Sequence, residues 1–199
     1  MQKSQLLVMT VISVITLIIG ISCTTTGGAT GGGSTEIIVE AEAFTAQEGG
    51  KVQMFSDRVG ADTLMAYWGN GGHNVSWEVN VPKDGQYKIV LRYCHGRKAD
   101  VYRSFLIDGK ALDPVLAKIV CPPTGGFAKT ANDFANLTVV DASGKSVLIT
   151  LTAGKHTVTM QNLGADAGEK GSINFDKFGI LTPAADPDIL GKPGVVLGK

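Results

Sequence analysis

Neither sign of charge is in excess: 18 Lys and Arg balance 18 Asp and Glu. That removes the electrostatic basis for binding nucleic acid or an anionic membrane surface. Catalytic signatures are missing too. The three histidines, His73, His95 and His156, are scattered, and no Gly-x-Ser-x-Gly, His-Glu-x-x-His or phosphate-cradling glycine motif occurs. Paired acids are the ingredients of glycoside hydrolysis, but the best acidic cluster here is better explained by a bound calcium ion, so no enzyme is expected. Aromatic residues make up only 7%, and no convincing helical pattern occurs between residues 36 and 181. Glycine, by contrast, is abundant at 26 residues, which fits many turns between short strands.

The chain is long enough for one domain with a good core and short for two. Its first 22 residues read as an export signal: Lys3, an apolar run from Leu6 to Ile21, then Ser22 and Cys23. The placement of Cys23 resembles the lipid-attachment site of bacterial lipoproteins, although Gly20 stands where a branched aliphatic residue is usual. The alternative is an uncleaved membrane anchor. Residues 23–35, with the Gly/Thr stretch Thr24–Thr35, contain no core formers and read as a flexible tether. The expected address is therefore extracytoplasmic, lipid-anchored at the bacterial cell envelope, with Thr24 compatible with outer-membrane sorting. The only membrane contact is through the N-terminal lipid. Two cysteines then remain, Cys94 and Cys121. In an oxidising compartment they form a candidate disulfide, stabilising by about 3.5 kcal/mol in the chain-entropy model; the alternative is two buried free thiols.

Strand signals run through residues 36–181. Val75, Trp77, Val79 and Val81 alternate with polar residues, Pro82–Gly85 makes a turn, and Gln86–Tyr93 resumes the alternation. Val101–Ile107 ends at the Asp108-Gly109 turn. Ser146–Leu151 and His156–Met160 read as a hairpin about Ala153-Gly154, and Ser172–Leu181 closes the domain. About nine or ten such strands predict an all-β fold, an antiparallel β-sandwich. The tail, residues 182–199, is broken by Pro183, Pro187 and Pro193 and reads as a surface extension without a function.

Two acidic signatures stand at opposite ends of this domain, Glu40-Ala41-Glu42 and Asn174-Phe175-Asp176. Residues two apart share a strand face. If the first and last strands are neighbours, three carboxylates converge in a way that suits a hard cation such as calcium. Otherwise they are unrelated charges on two solvated edge strands.

Five motifs in order carry a resemblance: Glu40-Ala-Glu42, Trp77-Glu-Val-Asn-Val-Pro82, Gly85-Gln-Tyr-Lys-Ile-Val-Leu-Arg-Tyr93, Leu151-Thr-Ala-Gly-Lys-His156 and Asn174-Phe-Asp176. The series resembles the carbohydrate-binding modules of families 6 and 35, jelly-roll sandwiches of the galactose-binding-like group, over residues 36–181. The resemblance implies a structural calcium ion held by Glu40, Glu42 and Asp176 with carbonyls from the loop near Arg58. It also implies a sugar site in loops at one end of the sandwich, where rings stack on pyranose faces and amides bind hydroxyls. Tyr67 stands at a stacking position, with Trp68 as second choice, while Trp77 reads as core. The family's Thr-Gly-Gly-Trp appears here as Thr124-Gly-Gly-Phe127, so Phe127 is the second aromatic, with Phe134 its rival. Asn174 is the polar anchor.

His73 and His95, in loop-like segments, are candidates for lining that cleft. Arg92, Arg97, Lys98 and Arg103 would suit acidic sugars, but a solvated face is the preferred reading. The function so implied is non-catalytic binding of a polysaccharide or oligosaccharide at the cell surface, beside glycan-degrading enzymes as partners. The alternative is a structural or adhesive lipoprotein that keeps the fold without sugar binding.

Overall fold

The computed structural model describes residues 35–166 and 170–197. The segments read as an export signal and a tether, with Cys23 between them, lie outside the described residues up to residue 34. Among the described residues twelve strands occur in chain order: β1 (Ile37–Glu40), β2 (Ala46–Glu48), β3 (Gln53–Phe55), β4 (Leu64–Ala66), β5 (Asn74–Val81) and β6 (Gly85–Cys94), then β7 (Val101–Ile107), β8 (Ile119–Cys121), β9 (Ala135–Thr138), β10 (Leu148–Leu151), β11 (Gly154–Ala165) and β12 (Asn174–Leu181). All pair antiparallel. One sheet runs β10-β6-β12-β4-β3, with β1 added to β12 and β9 to β6; the other runs β2-β5-β11-β7-β8. This is the expected antiparallel β-sandwich, a jelly roll.

Period-two alternation decides what enters the core. Val75, Trp77, Val79 and Val81 of β5 and Tyr87, Ile89, Leu91 and Tyr93 of β6 all point between the sheets. Each large side chain buried there contributes about 2 kcal/mol. Trp77 packs edge-on against Phe175 and Phe178 at 6.2 and 5.4 Å, and its indole N–H donates to the Ala41 carbonyl at 3.0 Å. The last strand lies at the centre of its sheet, flanked by β6 on one side and by β1 and β4 on the other.

Four expectations change. The predicted hairpin about Ala153-Gly154 is a crossover, because β10 pairs with β6 while β11 pairs with β5 and β7 in the opposite sheet. Cys94 and Cys121 are free and buried, not bonded. Tyr93 faces the core, so Cys94 faces the outer side of its sheet among Leu64, Ala66, Ala128 and Phe134, while Cys121 lies in the core between the sheets. Burial pushes the Cys121 thiol up to about 12. Two of the three arginines read as solvated, Arg92 and Arg103, are buried. Arg103 lies over the Trp68 ring at 4.5 Å and donates to the carbonyls of Tyr102 and Gly171 and to Asn162 Oδ1.

The fourth change concerns the tail, which is a strap across the outer face of the seven-stranded sheet. Lys88 Nζ donates to the carbonyls of Pro183 and Ala185 at 3.1 and 2.6 Å. Leu190 packs on Val90 and Leu181, and the amides of Gly194 and Val195 both donate to the Phe134 carbonyl. Two outward cations on β6, Lys88 and Arg92, thus collect tail carbonyls that would otherwise need water.

At the far end from β12's start, His156 Nδ1 lies 2.7 Å from Asp108 Oδ2 and Nε2 lies 2.9 Å from the Thr152 carbonyl. Both partners only accept, so the protonated ring, with two N–H donors, is the form that satisfies both. The Asp108 bond, then the Thr152 bond, raises the His156 pKa. A raised folded-state value stabilises fully below the unfolded value and is lost as pH rises through the folded one. Burial lowers the pKa of His73 and His95, so these two act in the opposite sense, adding stability as the unfolded-state imidazoles lose their protons around pH 6.5. Urea melts of the protein and of His156→Gln between pH 6.5 and 8 should therefore show the wild type losing stability with rising pH relative to the variant; an identical pH dependence in the two would exclude this pair as a contributor.

Candidate functional site

A cleft of about 260 Å³ opens at the end of the sandwich where β12 begins, lined by Phe55, Arg58, Ala66, Tyr67, Arg97, Phe127, Ser172, Ile173 and Asn174. That volume is near the lower end of small-ligand cavities, about 300 Å³. Its walls come from the ends of β3 and β4, the loop after β6, the loop at Gly125–Ala128 and the entry to β12.

Tyr67 follows β4 directly and takes a left-handed backbone, φ +57°. A side chain there costs about 1–2 kcal/mol, and such strain concentrates at functional positions. The kink turns Tyr67 outward, where it is 64% exposed and stacked on Phe55 with centroids 5.8 Å apart. The next residue turns inward. Trp68 is fully buried, its N–H donating to the His73 carbonyl at 3.0 Å and its ring edge-on to Phe175. Of the two candidates at this position, Tyr67 reaches the cleft and Trp68 is core.

Phe127 forms the other aromatic wall and is 38% exposed. Its loop is held by side chains rather than by a sheet. Asn174 Nδ2 donates to the Phe127 carbonyl at 2.8 Å, and Asp133 Oδ2 accepts from the Ala128 amide at 2.8 Å. The fit leaves no space: a Cβ at Gly126 would come within 2.0 Å of an Asp133 carboxylate oxygen. Ala128, like Tyr67, is left-handed, φ +54°. The rival Phe134 is fully buried beneath the Arg92 guanidinium at 5.0 Å. Asn174 thus lies in the cleft, with its amide nitrogen committed to positioning Phe127.

Polar groups line the floor and rim. Arg58 lies over the Phe55 ring at 4.8 Å and pairs with Asp57. Arg97 Nε donates to the Ser172 carbonyl at 3.1 Å. Sequence reasoning missed Phe55, because the three-residue strand that carries it is too short to show an alternation. His73 and His95, candidates for this cleft, are buried elsewhere; His95 Nε2 is 3.0 Å from the Cys121 carbonyl.

The carboxylates expected to hold calcium fall as follows. The first strand ends at Glu40, and Ala41–Ala43 is a one-turn 3-10 helix that buries Ala41 and leaves Glu42 exposed. Glu40 and Glu42 therefore do not share a strand face. Asp176 is buried, and its Oδ2 accepts from Arg92 Nε at 2.9 Å. Lys177 Nζ lies 3.0 Å from Glu40 Oε1 and 3.8 Å from Asp176 Oδ2. Burial pushes the Asp176 carboxyl up to about 6, against Lys177 and Arg92, so it stays ionised at neutral pH. Among the described residues no three His, Cys, Asp or Glu side chains are grouped to hold a metal ion. This donor set does not fit calcium.

No protein-family model matches the chain. A 1,6-alpha-glucosyltransferase of Sporosarcina globispora is 29% identical over 128 residues, which span 62% of this chain and 9% of that enzyme. The chain therefore spans under a tenth of the length of this curated relative. A family 35 carbohydrate-binding module from Clostridium thermocellum superposes with a TM-score of 0.55 at 17% identity, covering 75% of this chain and 100% of the module. The C-terminal family 6 module of a marine laminarinase from Zobellia galactanivorans gives a TM-score of 0.55 at 18% identity, covering 74% and 99%. The chain has the jelly-roll fold of the family 6 and family 35 modules.

The strain at Tyr67 can be read directly. Tyr67→Ala and Tyr67→Gly both remove the ring, but only alanine keeps a left-handed Cβ. Urea denaturation should find the glycine variant more stable by about 1 kcal/mol; equal stabilities would mean the position is relaxed.

Proposed function

We propose that the protein binds a polysaccharide or oligosaccharide without transforming it, in the cleft between Tyr67 and Phe127. The observation that carries this reading is the pair of exposed rings facing one cleft, Tyr67 on a left-handed backbone position and Phe127 beside another, Ala128. An apolar ring surface flanked by amide and guanidinium groups suits a pyranose, whose C–H faces stack and whose hydroxyls take hydrogen bonds. The fold shared with carbohydrate-binding modules supports the same reading.

Binding without catalysis is supported by the state of the reactive groups. His73, His95 and both described thiols are buried, and His156 has both nitrogens engaged. In this proposal Cys23 carries a lipid, the tether gives reach, and the module holds glycan at the bacterial envelope beside glycan-processing enzymes. The name of the curated relative makes α-glucans the first ligands to try.

Affinity gels containing dextran, laminarin or polygalacturonate test it with the full chain. One polysaccharide should retard the protein, and Tyr67→Ala and Phe127→Ala should each weaken that retention about tenfold, the equivalent of one lost ring stack. Retention that survives both substitutions would move the site elsewhere. No retention by folded protein on any of the gels would favour the structural or adhesive lipoprotein.

A further inference from the structure

The last strand contains a bulge. Its pairing with β6 shifts register between Phe175 and Lys177, and Phe175 and Phe178, three residues apart, both enter the core. A bulge of this kind inserts one extra residue, so Asp176 and Lys177 are turned to the outer face together. On the neighbouring strand Glu40 is the direct partner of Lys177. The Lys177 ammonium therefore contacts two of the three carboxylates at which a divalent ion would bind: Glu40 at 3.0 Å and Asp176 at 3.8 Å. A calcium ion needs 6–8 oxygens at about 2.3–2.6 Å. Here it would meet that ammonium and Arg92 Nε, which lies 2.9 Å from the same Asp176 oxygen, while Glu42 stays exposed on its turn.

Arg92 completes the arrangement. Besides Asp176 Oδ2, its guanidinium donates to Asn136 Oδ1 at 3.0 Å and to the carbonyls of Gly60, Gly191 and Lys192 at 2.9, 3.2 and 3.2 Å. That is an all-oxygen shell of the kind a hard cation gathers, already filled by a side chain.

We propose that Lys177, backed by Arg92, supplies from within the chain the positive charge that ties the first strand to the last, so that this domain folds and holds without a divalent cation. The ammonium neutralises Glu40 and Asp176 across the β1–β12 pair, and the bulge is the device that delivers it.

Thermal melts of the full chain in EDTA and in millimolar CaCl2 test this directly, with calcium titration calorimetry alongside. The two melting temperatures should coincide and calcium alone should give no binding heat. Lys177→Met and Glu40→Gln should each lower the Tm by about 2–4 °C in both buffers, and the double variant should lose less than the sum of the two, because both remove the Lys177–Glu40 pair. A Tm that falls on chelation and returns with CaCl2 would overturn the proposal. So would additive losses in the double variant. If Lys177→Met does not fold, the wild-type melts and the Glu40→Gln variant still decide.

Discussion

The guanidinium of Arg92 is the interaction on which the rest of this domain depends. A buried charge costs several kcal/mol unless every polar atom around it is matched. Here the five N–H groups meet five oxygens, contributed by β12, β9, the loop at Gly60 and the C-terminal strap. Taking away one charged partner from such a pair costs about 3–5 kcal/mol, because the other is left buried alone. Four segments distant in sequence are thus fixed to one point on β6, and the outer face of the larger sheet is closed by a strap rather than left to solvent.

That fixed sheet explains how a cleft can be built from loops. The central strand β12 passes through three tasks in five residues. Asn174 holds the Phe127 loop, Phe175 and Phe178 fill the core, and Asp176 and Lys177 face outward to Arg92 and Glu40. The aromatic walls are not strand residues in regular alternation. They are held by strained backbone at Tyr67 and Ala128 and by side-chain bonds from Asn174 and Asp133. Rigid loops lose less conformational freedom when a ligand binds, which matters for weak contacts such as ring stacking.

Alternation made most of the fold legible. Asn74 to Val81 and Val101 to Ile107 appear as strands with the bounds expected, and Trp77 lies in the core as its valine neighbours imply. Alternation does not say which sheet a strand joins, so β10 and β11 read as a hairpin when the chain crosses between layers. It also fails at a bulge. The three-residue step from Phe175 to Phe178 was visible in the sequence and was the one sign that Lys177 would join Asp176. The aromatic pair Tyr67 and Phe127 was legible from family-like motifs, whereas the choice between Phe127 and Phe134 was not, because only the fold shows that Phe134 lies beneath Arg92. Buried arginines escaped for a general reason: charge predicts exposure, and the oxygens that satisfy Arg92 come from loops and the tail, where no pattern marks them.

The most direct test of the account is the location of bound glycan. Backbone amide NMR of the labelled chain, titrated with isomaltooligosaccharides and then with laminarioligosaccharides, would show it. Shifts concentrated at residues 55–58, 66–67, 97, 126–128 and 172–174, and absent from the exposed face of the five-stranded sheet, are the predicted result. Saturable shifts confined to that sheet face, with the Tyr67 and Phe127 loops unmoved, would contradict it.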